Sequence, residues 1–346
     1  MNIYDISEQA GVSTTTVSRV LNGSAQVSSA TREKVLAIME KNGYTPNVFA
    51  RSLGRGTMRT VGILIVDPSD PNACASLTAS IGHLQRELRS YDYDSVIYCV
   101  SYDMKDKAEC LRVMCERRVD AVIICGSFFI EKSAKNNQCI IDTAKQMPVI
   151  LINGILDADN IYSFLCDDKE SARRATKVMI DTGAKDILLL FRGVSCSEQR
   201  KRDGYIEALC SAGLPVRKEY IHKCPLDIHE GVDFIEKLAK KLHFDAVLAT
   251  EDGIAMSVLK YANRNNISIP DELSLIGYDN TLLSECCHPE LTSVNNNVEA
   301  ASITAVSMLM HHIKDNGKIP SQVTVSSKII FRETTKAYID KVGEVE

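Results

Sequence analysis

The chain has 346 residues, of which 45% are hydrophobic and 25% are charged, and its formal net charge is −5. That length exceeds what one hydrophobic core usually supports, so it predicts two or three folded units. The composition is that of a soluble globular protein and excludes collagen-like and low-complexity classes. No apolar run approaches the length of a membrane span.

The charge is divided unevenly along the chain. Residues 1–60 contain seven Lys and Arg against four Asp and Glu, a balance of +3, whereas the remaining residues contain 33 against 41, a balance of −8. Basic side chains concentrated in one short segment favour a contact with phosphates there.

The twelve cysteines form no C-x-x-C pair, none lies in residues 1–60, and Cys99 and Cys125 fall inside apparent strands. This pattern favours reduced, mostly buried thiols and no disulfide. Residues 1–8 lack the basic and apolar stretches of an export signal, so we expect a cytoplasmic protein. The His and Cys spacings predict no metal site, and no cofactor is expected.

Two short helices are predicted at the N-terminus. The first runs from about Tyr4 to Ala10, and Gly11 ends it because glycine adopts the left-handed conformation at little cost. Ser13 is placed to cap a second helix from Thr14 to about Asn22. A helix, a tight turn and a second helix within twenty residues is the outline of a helix-turn-helix.

The outer face of the second helix carries Thr15 and Arg19, four residues apart, with Thr14 and Ser18 beside them. Arginine can make a bidentate contact to guanine in the major groove, and the methyl group of threonine suits thymine. Taken alone, this helix is more typical of an ordinary solvated surface. The segments that follow favour the DNA-reading interpretation.

A third helix is predicted after Ser28 as its cap, through Thr31 to Met39, and Gly43 closes it. Pro46 then begins a segment that ends at Gly54 and is too short to form a stable helix alone. Within it, Leu53 is either a wedge between base steps of a minor groove or a cap on the neighbouring domain.

These segments together resemble the LacI/GalR family of bacterial transcription regulators. The resemblance rests on Gly11–Asn22, Val27–Ser28, Thr31–Val35, Gly43–Asn47 and Ala50–Leu53, and residues 13–18 are especially similar to the purine repressors of that family. It implies base contacts by Thr14, Thr15 and Arg19, backbone contacts by Thr16 and Ser18, and intercalation by Leu53. The full set of expected DNA-binding residues is Ser13, Thr14, Thr15, Thr16, Ser18, Arg19, Asn22, Asn47, Ala50, Arg51 and Leu53. Gly54 replaces a basic residue of some members, so the minor-groove contact of that residue is not expected.

From residue 61 on, apolar strands alternate with amphipathic helices, which indicates parallel sheets with helices on both faces. The predicted strands are 61–66, 96–100, 121–125 and 149–152 in a first set, and 187–191, 246–249 and 273–276 in a second. We therefore expect two similar α/β lobes, with 291–295 and 323–331 as crossovers between them. The family resemblance implies the same architecture, that of periplasmic binding proteins.

The predicted fold is thus an all-α helix-turn-helix domain joined by a hinge helix to two doubly wound parallel-sheet lobes. The helix-turn-helix domain is assigned to residues 1–45 and the hinge helix and linker to residues 46–60. The N-terminal lobe is assigned to 61–160 plus about 291–322, and the C-terminal lobe to 161–290 plus about 323–340.

Ligands of open α/β sheets bind beyond the carboxyl ends of the strands. Many Asp and Ser residues at such ends merely cap the next helix, but the family resemblance selects some of them. It implies an effector contact by Asp279, in Gly277–Asn280, and a basic contact at Lys201, where arginine is commoner. The expected effector-binding residues are Ser69, Asn72, Phe128, Lys201, Arg200, Glu251 and Asp279.

Two departures from the family pattern leave the effector's identity open. Glu251-Asp252 stands where Asn-Asp is frequent, and Asn72-Ala73 stands where an aromatic residue is frequent, so Phe128 or Phe129 would have to supply the stacking surface.

The leading hypothesis is a cytoplasmic, homodimeric repressor that binds a near-palindromic operator and responds to a small sugar-like effector. No membrane partner is expected. The alternatives are a sugar-binding protein with no DNA-binding role, a regulator controlled by a protein partner, and, least favoured, an enzyme. No nucleophile elbow or Gly-rich phosphate loop supports the last of these.

Overall fold

A computed structural model describes residues 2–21, 26–44, 57–70 and 75–336, with the backbone alone at 75 and 76. The first ranges hold three helices: α1 (Ile3–Ala10), α2 (Thr14–Leu21) and α3 (Ser29–Lys41). Gly11 ends α1 with φ of +64°, and Ser28 caps α3 by accepting the N–H of Thr31, both as predicted. The three helices share a small buried core of Ile6, Ala10, Val17, Val20, Val35 and Met39.

The N-terminal lobe is built on a six-stranded parallel sheet. Its elements in chain order are β1 (Thr60–Val66), α4 (Ala75–Ser90), β2 (Asp94–Val100), α5 (Lys107–Glu116), β3 (Ala121–Cys125), α6 (Gln138–Ala144), β4 (Val149–Ile152) and β5 (Ile161–Cys166). A later strand, β11 (Gln322–Val325), pairs with β5 and gives the order β11-β5-β4-β3-β1-β2. The returning helix α12 (Val298–Asp315) packs against α4 and this sheet.

The C-terminal lobe repeats this plan with a second six-stranded sheet. It contains α7 (Asp168–Asp181), β6 (Ile187–Phe191), α8 (Cys196–Ser211), β7 (Ile221–Lys223), α9 (Ile228–Ala239), β8 (Ala246–Ala249), α10 (Asp252–Arg264), β9 (Ser274–Tyr278), α11 (Leu283–Cys286), β10 (Ser293–Asn295) and β12 (Lys328–Ile330). The strand order is β12-β10-β9-β8-β6-β7, and β12 is antiparallel to β10 while the other pairs are parallel.

Both sheets are buried on both faces, which explains the continuous apolar runs of their strands. In β1, Val61, Ile63 and Ile65 belong to one core cluster and Leu64 and Val66 to another on the opposite face. The same alternation divides the residues of β6 between two clusters of the C-terminal lobe. The prediction of a helix-turn-helix followed by two doubly wound lobes is confirmed, apart from the single antiparallel strand.

The assignment of segments to lobes needs correction. Strand β5 lies in the N-terminal sheet, although residues from 161 on were assigned to the other lobe, and β10 lies in the C-terminal sheet. The segment 323–331 is not a plain crossover, because it holds most of β11 and all of β12, which belong to different sheets. These strands are three to six residues long and their partners are distant along the chain, so no local pattern distinguishes them from loops.

The expectation of mostly buried thiols is wrong. Among the described cysteines, which are all free, Cys125, Cys166 and Cys224 are buried while Cys99, Cys210 and Cys286 are exposed and the others are half-buried. Cys99 is exposed because β2 is the edge strand of its sheet. Within the described ranges, no helix is both long enough and apolar enough to cross a membrane.

Candidate DNA-reading helix and effector cavity

Helix α2 separates its residues cleanly into a buried and an outer face. Val17 and Val20 are buried in the helical core, whereas Thr15 and Arg19 are exposed and Thr14, Thr16 and Ser18 are half-buried. The hydroxyl of Ser13 accepts the N–H of Thr16 at 3.1 Å, so Ser13 caps the helix as expected. The predicted base-reading side chains therefore lie on the outer face of α2, and their contacts with bases stay predictions.

Five of the expected DNA-binding residues lie outside the described residues: Asn22, Asn47, Ala50, Arg51 and Leu53. Most of the segment assigned to a hinge helix and linker, residues 46–60, falls there too. Their roles remain predictions from the family resemblance.

A cavity of about 50 Å³ lies between the two lobes, at the carboxyl ends of their strands. The N-terminal lobe contributes Leu77, Tyr102, Ser127, Phe128 and Asn153, and the C-terminal lobe contributes Arg192, Glu198, Lys201, Glu251 and Asp279, among others. Of the expected effector residues, Phe128, Lys201, Glu251 and Asp279 meet at this cavity.

The other three expected effector residues are placed differently. Arg200 does not line the cavity, and it donates to the buried carboxylate of Asp168 at 2.7 Å and to Asn153 of the opposite lobe at 3.0 Å. Ser69 donates its hydroxyl to Asp67 at 2.7 Å, as a turn residue does, and does not line the cavity. Asn72 lies outside the described residues. Arg200 and Lys201 are neighbours on a helix, so their side chains point in different directions, and of the two only Lys201 lines the cavity.

Lys201 is a buried cation at the floor of the cavity. Its Nζ donates to the carbonyl of Thr250 at 2.9 Å, lies 3.4 Å from a carboxylate oxygen of Glu198, and lies 3.9 Å from the ring centroid of Tyr278. Burial disfavours its charged form, but Glu198 and Asp279 outweigh that effect, so its pKa is raised. Lys201 therefore stays protonated while buried.

Asp279 places a carboxyl group at the cavity on a strained backbone. Its backbone has φ of +94°, a region that side-chain-bearing residues rarely adopt, and strain of this kind concentrates at functional sites. Its Oδ1 accepts the side-chain N–H of Asn296 at 2.7 Å. Burial is the largest cause of the shift that raises its pKa to about 7, although Lys201 opposes it.

The short turn after β3 presents Phe128 to the cavity. Gly126 has φ of +125°, and a Cβ there would lie 2.4 Å from the Phe128 ring, so glycine is required for the ring to fold back over the chain. The buried Lys107 donates to the carbonyl of Phe129 at 3.1 Å and holds this turn. Phe129 itself is buried in the core, so Phe128 supplies the aromatic wall.

Several cavity residues were missed as effector residues in the sequence analysis. Glu198 stands one helical turn before Lys201, a spacing that places both on one face of α8 and was a usable signal. Asn296 follows β10, a strand too short to recognise. Arg192, directly after β6, donates to Glu251 at 2.7 Å inside the cavity, and its distance in sequence from Glu251 gave no hint of that pairing.

Comparisons with known proteins cover nearly the whole chain and point to one family. The family model of lacI-type bacterial regulatory proteins matches residues 2–47, and that of the periplasmic binding protein-like domain matches residues 176–335. An HTH-type transcriptional regulator of Lachnoclostridium phytofermentans is 41% identical over 97% of this chain and 99% of that protein. The chain belongs to the lacI family of bacterial regulatory proteins.

Other lacI-family proteins extend the comparison. Catabolite control protein A of Priestia megaterium is 30% identical over 97% of this chain and 99% of that protein. The crystal structure of the lac repressor dimer bound to operator and the anti-inducer ONPF has a TM-score of 0.83 with 20% identity, covering 97% of this chain and 99% of that one. The predicted family is confirmed, and the alternatives of an enzyme and of a binding protein without a DNA-binding role are set aside.

The raised pKa of Asp279 makes the stability of this lacI-family chain depend on pH. Its pKa is about 7 in the folded state, whereas the ordinary value is 3.8. Between these two pH values the folded protein therefore keeps a proton on Asp279 that the unfolded chain has lost. The contribution of Asp279 to the free energy of unfolding is therefore greatest below about pH 4 and falls as the pH rises to 7. We expect wild type to lose stability relative to Asp279→Asn over this range, by at most about 1.4 kcal/mol per pH unit.

Urea denaturation of both proteins at a series of pH values measures this difference. Asp103→Asn is a control of opposite sign, because hydrogen bonds from Lys105 and Ser101 lower the pKa of the exposed Asp103 to about 2. The contribution of Asp103 to the free energy of unfolding is lost only as the pH falls toward 2, and it is constant between pH 4 and 7. If the stability difference between wild type and Asp279→Asn is flat from pH 4 to 7, Asp279 is ionised throughout and the raised pKa is wrong.

Proposed function

We propose that this regulator is a homodimeric repressor that acts in the cytoplasm and binds a near-palindromic operator. A small polar, sugar-like metabolite in the interlobe cavity controls that binding. The observation that carries the proposal is the cavity of charged and hydroxyl-bearing side chains between two lobes that follow a helix-turn-helix on the same chain. The lac repressor, whose fold is similar, has been crystallised as a dimer bound to operator and the anti-inducer ONPF.

The chemistry of the cavity suits a ligand with several hydroxyl groups. Asp279 and Glu251 supply carboxylate acceptors, Lys201 supplies a donor, and Phe128 supplies an apolar ring for the carbon face of a sugar. A few well-placed polar groups against an apolar wall is the usual composition of a small-molecule site. A ligand bound by both lobes would favour their closed arrangement, and differential affinity of this kind is the thermodynamic basis of control.

Two measurements test this function on the full chain. Selection of bound duplexes from a random DNA library identifies the operator, and its half-site symmetry reports a dimer. A thermal-shift screen over sugars, sugar phosphates, nucleosides and purines identifies the effector, whose effect on operator affinity is then measured. Effector control is wrong if no compound both raises the melting temperature and changes operator affinity. In that case control by a protein partner becomes the leading alternative.

Arg19→Ala tests the reading of bases by α2. Because Arg19 is exposed on the outer face of that helix, we expect its removal to cost about 1–3 kcal/mol of operator affinity and to relax base preference at one position of each half-site. Arg32→Ala, a change at a half-buried position of α3, is the matched control and should leave base preference unchanged. A uniform loss across all sequences would instead make Arg19 a phosphate contact.

A further inference from the structure

Arg192 is one of several side chains that contact the opposite lobe across the cleft, as Asn153 does through Ser197 at 3.3 Å. Arg192 follows β6 of the C-terminal lobe and is 6% exposed. Its guanidinium carbon lies 5.2 Å from the ring centroid of Tyr102 and 6.0 Å from that of Phe128, both in the N-terminal lobe. The two rings are themselves in contact, with centroids 5.9 Å apart. A cation within about 6 Å of an aromatic centroid is attracted to it, and more strongly when water is excluded.

Arg192 is also anchored in its own lobe. Its guanidinium donates to Glu251 at 2.7 Å, and the Glu251 side chain is 16% exposed at the start of α10. Separating a buried pair of this kind is costly, because each charge would be left in a poorly solvated environment. The guanidinium is therefore held by the C-terminal lobe while its face rests on the aromatic rings of the N-terminal lobe.

This contact divides the cleft in two. A second cavity, lined by residues 223–230 and Lys260, shares Tyr102 and Arg192 with the inner cavity as a common wall. If the lobes part, the rings leave the guanidinium and the two spaces join. The Arg192 contact therefore lies between the inner cavity and the second cavity.

We propose that Arg192 is a built-in latch: its guanidinium, fixed by Glu251, holds Tyr102 and Phe128 of the opposite lobe and keeps the cleft closed before an effector binds. The closed arrangement is then favoured without ligand, and an effector shifts lobe closure only by its differential affinity for the two arrangements. This regulatory consequence rests on the proposed effector control, whereas the latch itself is a property of the ligand-free chain.

A native cysteine at the cleft reports the opening of the lobes. Cys196, at the start of α8, donates its thiol to the carbonyl of Asn153 in the opposite lobe at 3.8 Å and is half-buried. Pulsed alkylation with N-ethylmaleimide, followed by peptide mass spectrometry, measures the modification rate of each cysteine in the full-length protein. Cys125, buried in the N-terminal core, reports global unfolding in the same sample, and the exposed Cys210 reports the intrinsic rate of reaction.

We expect Arg192→Met and Tyr102→Leu each to raise the ratio of Cys196 to Cys210 labelling by about 5- to 30-fold, the factor to which one or two kcal/mol corresponds. The double variant should add little to Arg192→Met alone, because that change already removes the contacts with both rings. Labelling of Cys125 should stay slow in all of them. Tyr102→Leu leaves the Arg192–Glu251 pair intact, so it still tests the latch if Arg192→Met folds poorly.

Arg217→Met is the matched control. Arg217 is ion-paired with Asp186 and stacks on Tyr220 at 4.0 Å, but all three residues belong to the C-terminal lobe, so its loss should leave Cys196 labelling unchanged. If Arg192→Met and Tyr102→Leu also label at the wild-type ratio, the latch is wrong. The labelling uses neither operator nor effector, so that outcome leaves effector control standing, and a failed ligand screen leaves the latch standing.

Discussion

We expect Lys201→Met to lower the free energy of unfolding by about 3–5 kcal/mol, the usual cost of removing one partner from a buried charge network. The substitution keeps most of the side-chain volume but removes the cation that lies beside Glu198 and attracts Asp279. Glu198 is buried and Asp279 is half-buried, and burial among the surrounding protein atoms already raises the pKa of each carboxyl. Without Lys201 they must either remain ionised in a poorly solvated site or take up protons.

The pH dependence of this effect separates the loss of a charge from a loss of packing. At low pH the two carboxyls are protonated and the absence of Lys201 costs little, so the deficit of the variant should grow as the pH rises from 5 to 8. Urea denaturation across this range provides the measurement. A deficit that is constant with pH would mean that the methionine fits badly and that charge is not the cause.

Lys177→Met is the control for that experiment. Lys177 pairs with Asp181 on the exposed surface of α7, with side-chain exposures of 59% and 56%. Exposed pairs contribute at most about 1 kcal/mol because water and salt screen them. If Lys201→Met costs no more than Lys177→Met, the buried network does not stabilise the fold.

Gly204→Ala is expected to destabilise the C-terminal lobe by about 3 kcal/mol or more, at the upper end of the cost of overpacking. A Cβ at this position would lie 2.0 Å from the carbonyl oxygen of Lys169 and 2.9 Å from the backbone N of Arg173. The atoms it meets are backbone atoms of α7, so no side chain can move aside. The helices α7 and α8 must separate, and α8 carries Lys201 one turn away.

Gly253→Ala is the matched control, because Gly253 is also a helical glycine and a Cβ added there would meet no described atom within 4 Å. Alanine forms helices better than glycine, so this variant should be neutral or gain up to about 1 kcal/mol. Urea midpoints of the two variants give the comparison. If both alanines have equal effects, close packing of α7 on α8 is not what selects glycine at position 204.

The local features of the DNA-reading region were accessible from the residues themselves. Gly11, Ser13 and the spacing of Val17 and Val20 predicted where α1 ends, where α2 begins and which face it buries. Capping and periodicity depend on neighbours three or four positions away, so such predictions need no knowledge of the fold.

The cavity was predicted less completely. Asp279 and Lys201 were found through the family resemblance, and Phe128 through its place after a strand. Arg200 was assigned to the cavity and instead pairs with Asp168, because the direction of a side chain on α8 depends on how that helix packs. Asn296 was missed because β10 has three residues and is recognisable only by its pairing with β9 and β12.

The sequence by itself therefore determined the family, the order of helix-turn-helix and two α/β lobes, and the outer face of α2, because each follows from contacts or motifs close in sequence. The tertiary structure alone decided which strands belong to which lobe and that Arg192 meets Glu251, Tyr102 and Phe128. Arg192 is separated from these three residues by 59 to 90 positions along the chain, and Tyr102 and Phe128 lie in the other lobe. Long-range strand pairing and lobe closure bring them together, and no local pattern encodes the resulting distances.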